Sequence, residues 1–164
     1  MRIQNLFRNP VVVTVAVLIA AAILGLIIMQ FTEPPEFNDD VTVTVRLDQA
    51  KVRADVATSP GRLEKGLMGA EPLMKDRALL FAYEEPTTPT IWMKGVEFPI
   101  DIVWISGDTV TQVTSNVPSA KPGVPDAQLP KYQPEGPVDK VLETSAGWAR
   151  QHSVQPGDVV RFSR

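Results

Sequence analysis

Trp92, Lys94, Asp101 and Glu143 are the residues of this chain whose types and spacing could do chemistry. Asp101 lies within "IWMKGVEFPIDIVWI" (91–105), preceded by Ile100 and followed by Ile102 and Val103. A carboxylate in such a run is costly to bury unless something pairs with it. Trp92 and Lys94 are two positions apart, so they share a face if their segment is a strand. Glu143 follows Leu142 near the end of a second apolar segment. If these strands are neighbours, one lysine and two carboxylates converge beside an indole ring. That cluster could bind a small polar ligand, with the ring stacking and the charges orienting it. Two carboxylates about 5–10 Å apart could also serve as acid and base on a glycoside. The same residues support a structural reading. Lys94 and Asp101 can form an ion pair across a turn, and Glu143 can cap backbone N–H groups at a helix start.

Other chemistries have little to work with. His152 is the only histidine and cysteine is absent, so no zinc site of His and Cys can be assembled. No twelve-residue EF-hand loop occurs. Neither GxxxxGK[ST] nor GxGxxG is present, and GxSxG and SxxK are missing too. Catalytic residues therefore stay unassigned, and no metal or cofactor is expected. A serine triad would need His152, at the end of a short helix, where a lone exposed histidine is usually just solvated.

The elements that must position the cluster are short. "VTVTVRL" alternates through Val41, Val43, Val45 and Leu47, and "KVRADVA" alternates through Val52, Ala54 and Val56. This predicts a β-hairpin. Ser59 and Pro60 suit a helix start, and Gly66 a helix end. "ALLFAYE" (78–84), "TIWMK" (90–94), "IDIVWIS" (100–106) and "TVTQVTS" (109–115) read as strands, with a tight turn at Gly107–Asp108. Six prolines in 117–137 exclude helix and interior strand there. A connection this long is either a functional lid or a loose surface loop. "VDKVLET" resumes as a strand, Ser145 caps a short helix "AGWARQH" in which Trp148 packs onto the sheet, and "VVRFS" closes the chain. The fold class expected is α+β and β-rich: a compact, barrel-like mixed sheet of about eight strands with two short helices, preceded by one N-terminal transmembrane helix.

That transmembrane helix is read from residues 11–31, "VVVTVAVLIAAAILGLIIMQF", which carry no charge. At about 1.5 Å per residue the run spans a hydrocarbon core of about 30 Å. Arg2 and Arg8 precede it, and Glu33, Glu36, Asp39 and Asp40 follow. The positive-inside rule then leaves residues 1–10 in the cytoplasm and the rest outside, periplasmic or extracellular. The alternative is a signal peptide cleaved near "AAA" at 20–22. Residues 32–40, "TEPPEFNDD", read as a stalk, and 41–164 as the outer domain. After Phe31 there are 14 basic and 19 acidic residues, a net −5, which disfavours nucleic acid as a partner.

"SPGRLEKGLMGAEPL", "ALLF", "WMKGVEFPIDIVWI", "KVLETSAGWARQH" and "VQPGD" occur in that order along the outer domain. In order and spacing the chain resembles DUF192 (also called UPF0127), a prokaryotic family of uncharacterised activity. The resemblance implies a compact β-barrel-like α+β domain, often behind a signal or anchor, and supplies no reaction. It also marks departures. The family usually has Asn and Thr where Gly95 and Val96 stand. It usually has acidic residues and an Arg where Gly61, Arg62 and Leu63 stand, and often an aromatic and an Arg where Gly69 and Ala70 stand. The expected function is a membrane-anchored binding or accessory module of the cell envelope without catalysis of its own, its partner a small polar ligand or an envelope protein. A hydrolase using Asp101 and Glu143, or a subunit of a membrane complex contacting others through 118–137, is the alternative.

Overall fold

The computed structural model describes residues 13–15, 17–19, 21, 36–48, 50–121 and 123–164. The chain divides into two compact units, Met1–Pro34 and Pro35–Arg164. In the first, the described residues 13–15, 17–19 and 21 are helical. Most of the expected 11–31 span and stalk residues 32–35 lie outside the described residues. Among the described residues no helix is long and apolar enough to cross a membrane.

The second unit is β-rich. β1 (Thr42–Leu47) and β2 (Ala50–Ala57) form the expected hairpin, with Val43 opposite Ala54 and Val45 opposite Val52. β2 continues through α1 (Pro60–Lys65) and a loop into β3 (Arg77–Thr87), which runs parallel to it. β5 (Ile100–Ser106) and β6 (Thr109–Val117) make a second hairpin, turning at Gly107 with φ 62°. β8 (Val138–Ser145) lies between β3 and β5, antiparallel to both, and β9 (Val160–Ser163) adds to the edge beside β1. The sheet order is β6-β5-β8-β3-β2-β1-β9.

This sheet curls into a half-barrel whose two edges meet at one end. Val110 N–H donates to Asp158 O at 3.0 Å, Gly157 N–H to Val110 O at 2.8 Å, and Val160 N–H to Asp108 O at 2.7 Å. A strand pair that satisfies those groups leaves less of either edge free to pair with another chain. The curl has two apolar faces. Val45, Val56, Leu80, Val103 and Leu142 belong to an inner cluster. Phe81, Ile102, Trp104 and Val141 belong to an outer one. β5 is buried on both faces through Ile105, which is why "IDIVWI" is a continuous apolar run and not an alternating one.

A separate layer covers the outer face. β4 is only Ile91–Trp92, paired in a two-stranded ribbon with β7 (Lys131–Tyr132). The expected strand 90–94 therefore stops early, because Met93–Val96 turns the chain, with Val96 N–H on Met93 O and Gly95 at φ 63°. The proline-rich stretch is neither helix nor interior strand, as its composition requires. It supplies a 3-10 turn (Asp126–Gln128) and the edge strand β7, and Leu129 is buried. Tyr132 and Ala120 pack on the outer cluster. It is thus a cover and not a loose loop.

Both helix starts depend on distant acids. Ser59 is the N-cap of α1, its Oγ accepting from Arg62 N, with Pro60 in the first turn and Gly66 as C-cap. Asp39, from the expected stalk, accepts Thr58 N–H at 2.7 Å and Ser59 N–H at 3.1 Å, and also bonds the Ser59 hydroxyl. Those donors, the Ser59 hydroxyl first, hold its carboxyl well below the usual carboxylate range. The second helix, α2 (Trp148–Gln151), corrects the expectation for Ser145. That residue ends β8, and the N-cap is Gly147, left-handed at φ 82°. Trp148 is buried in the inner cluster, as expected.

Amide hydrogen exchange tests the closure of the half-barrel. The N–H groups of Val110, Gly157 and Val160 are expected to exchange as slowly as those of interior strands such as β3. Exchange at the rate of an exposed loop would mean that the edges do not join.

Candidate functional site

The four residues singled out in the sequence fall on two sides of one sheet. Asp101 pairs across β5–β8 with Thr144, whereas Ile102 pairs with Glu143. Directly opposed residues share a face, so Asp101 points with Val103 and Ile105 to the inner side. Glu143 points with Ile102 and Leu79 to the outer side. The acid–base pair expected for a hydrolase is therefore absent: the two carboxylates face opposite layers.

Asp101 is a structural anchor. It is fully buried, and its carboxylate accepts Asn116 N–H at 2.7 Å and Ala149 N–H at 2.9 Å. Ala149 belongs to the first turn of α2, whose N–H groups have no partner within the helix. Asn116 has φ 55° at a bulge in β6. One carboxylate thus fixes both the helix and the end of the second hairpin. Lys94 does not pair with Asp101. Its Nζ lies 2.7 Å from Asp126 Oδ2 and 5.2 Å from the Trp92 ring centroid. Nor does Glu143 cap a helix, the role expected for it falling to Asp101.

Trp92, Lys94 and Glu143 do come together, in a cleft of about 390 Å³. The outer sheet face makes its floor with Phe81 and Glu143. α1 and the turn after it make one wall with Leu63, Leu67 and Met68, and the β4–β7 ribbon the other with Ile91, Trp92 and Lys131. The two walls are linked where Gly69 N–H donates to Gly95 O at 2.9 Å. A Cβ on residue 95 would come 2.7 Å from Met68 Cγ. Position 95 needs a left-handed residue, which Gly supplies and Asn tolerates. Without a Cβ, Gly95 lets the two walls meet at this point.

Glu143 is 4% exposed, and among the described residues it has no hydrogen bond or ion pair. Burial pushes its carboxyl up to about 8, since a charge deprived of water and of a partner is disfavoured. Tyr83, on the same face, is pushed up to about 12, first by burial and then by the Glu143 charge. Among the described residues no three acidic or histidine side chains gather closely enough to hold a metal. His152 is exposed at the end of α2, its Nδ1 2.8 Å from Trp148 O and its ring 4.7 Å from the Trp148 ring. It is not part of the cleft. The wall from α1 and its following turn, with Leu63, Leu67 and Met68, comes from a segment that no sequence period links to Trp92, Lys94 or Glu143.

The chain belongs to the DUF192 family (Uncharacterized ACR), whose model matches residues 41–162. No curated protein matches it. Two crystal structures are similar. One is a protein of Sinorhizobium meliloti 1021, described as a proposed transcription regulator: 25% identity and a TM-score of 0.67, over 78% of this chain and 98% of that one. The other is a protein of unknown function from Novosphingobium aromaticivorans DSM 12444: 24% identity and a TM-score of 0.63, over 79% of this chain and 94% of that one.

Two substitutions separate the roles of the acids. Asp101→Asn is expected to cost about 2–4 kcal/mol, because the amide turns an NH2 toward one of two buried donors. The check is the urea midpoint at unchanged m, and a shift below about 0.5 kcal/mol would contradict the anchor. Glu143 acts with the opposite sign. Between its ordinary value of 4.5 and about 8 the folded state holds a proton that the unfolded state has lost. Stability should therefore fall as pH rises through that window, by about 5 kcal/mol in all. Glu143→Gln should flatten this dependence and be the more stable form at pH 9; an unchanged slope would contradict the assignment.

Proposed function

We propose that the outer-face cleft is a ligand-binding site and that the domain is a binding module of the cell envelope, tethered by the apolar run at 11–31. The observation that carries the binding role is Glu143: a buried carboxyl with no hydrogen bond or ion pair among the described residues, on the floor of a half-apolar cleft. Buried polar groups nearly always have a partner, and the Glu143 carboxyl, which opens onto the cleft, can take one from a ligand there. The volume suits a small molecule. Trp92 offers a ring face, and Phe81, Leu67 and Ile91 offer apolar contact. With Asp101 on the far face, the site has one floor carboxyl and so binds without the second carboxyl that glycoside cleavage uses. The tether and the envelope placement rest on the uncharged run and on the arginines before it. The regulator role suggested for the Sinorhizobium protein is not adopted, because a net −5 after Phe31 opposes DNA.

A thermal-shift screen of small metabolites, peptides and glycans on the full chain tests this reading. A ligand at a hundred times its dissociation constant should stabilise by about 2.7 kcal/mol. Hits should also change the fluorescence of Trp92, the half-buried one of the three tryptophans. The effect should vanish in Trp92→Ala. Hits that survive Trp92→Ala, or no hit at all, would overturn the cleft as the site.

A further inference from the structure

Among the groups that line the cleft, charge is divided by depth. At the mouth stand Glu64 and Lys65 from α1, Lys94 after β4, and Lys131 from β7. Glu64, Lys65 and Lys131 are exposed, and Lys94 is occupied by Asp126 and the Trp92 ring. At the floor stands Glu143, with Tyr83 beside it from β3. From β5 the outward residues nearest in register are Ile100, Ile102 and Trp104, none of which titrates. Exposed ion pairs are worth little in water, whereas the same pair in a dry site is worth several times more. The floor group, not the rim, therefore decides the chemical class of the ligand.

Resting on the binding role proposed above, we infer that the cleft takes a small amphiphile by a primary ammonium group seated against the Glu143 carboxyl. No covalent bond forms or breaks. The neutral carboxyl gives its proton to solvent, and the resulting carboxylate accepts N–H bonds from the ammonium. Leu67, Phe81 and Ile91 surround the hydrocarbon body behind that group. Lys65 and Lys131 at the mouth disfavour a second cationic end, so the outer end is neutral or acidic. A carboxylate ligand gains no ion pair at the floor: it can accept one hydrogen bond from the protonated carboxyl, and it meets a like charge once that carboxyl ionises. A metal ion is a poor occupant, since one carboxylate offers too few oxygens. At pH 7 the carboxyl is mostly protonated in the empty cleft, its burial having pushed it up to about 8.

Isothermal titration of the full chain at pH 7 with benzylamine, benzyl alcohol and benzoate tests this, because the three differ in charge and share a ring. Each is run in phosphate and in Tris, whose protonation heats differ widely. Benzylamine is expected to bind at least tenfold tighter than benzyl alcohol, and benzoate weakest. Benzylamine alone should release close to one proton, about 0.9 from the carboxyl's titration. Its apparent affinity should rise with pH to about pH 8. Glu143→Gln should keep the alcohol's affinity and lose the amine's advantage; if that variant does not fold, the proton count decides alone. Alcohol equal to amine, benzoate tightest, or heats that do not depend on buffer would overturn the ammonium inference and leave the cleft standing. No binding by any of the three would overturn both.

Discussion

Successive side chains on a strand point to opposite faces, so the pairing register of two adjacent strands decides which residues can ever meet. In this protein the decisive register is that of β5 against β8, with Asp101 opposite Thr144 and Ile102 opposite Glu143. A slip of one residue would place both carboxylates on one face, side by side. The register seen sends them apart, and each then has the environment of its own layer. The inner carboxylate accepts from two backbone donors and is a structural anchor. The outer one meets apolar walls and no donor.

That register is itself pinned from both layers. β5 is buried on each side, so a slip would drive Asp101 into the outer apolar cluster and Ile102 or Trp104 into the place of a helix anchor. Trp104 also ties β5 to β6, its Nε1 donating to Thr114 Oγ1 at 2.9 Å. The bonds at Val110, Gly157 and Val160 join the sheet edges and hold the curl, and its outer face is the one that is roofed. The roof is local: α1, the turn after it and the ribbon meet through Gly69 and Gly95. The cleft is what remains between that roof and the sheet. Its lining is half apolar, and the ionisable group on its floor is a carboxyl that no cation among the described residues neutralises.

Much of the frame was readable from the residues. The alternation in "VTVTVRL", the Ser59–Pro60 start and Gly66 end of α1, and the Gly107 turn each follow from short-range rules, and each has its expected place. The period of two along any strand puts Asp101 on one face with Val103 and Ile105. What could not be read was its parity against β8, because register is fixed by packing and not by either strand's sequence alone. The partner of Asp101 lies 48 positions away on α2, and that of Lys94 on a 3-10 turn within the proline-rich cover. Long-range pairs of this kind leave no periodic trace. Asp39 is a similar case: within "TEPPEFNDD" it reads as a solvated acid, but the fold turns it back onto Thr58 and Ser59.

Much in this account turns on the state of one side chain. Nuclear magnetic resonance titration of the Glu143 side-chain carboxyl carbon, from pH 3 to pH 10 in the full chain without ligand, reads that state directly. The account predicts a midpoint near 8, set by burial without a cationic partner. A midpoint in the ordinary range near 4.5 would show a carboxyl that is solvated or already paired, and the cleft would lose the group that gives it a chemical preference.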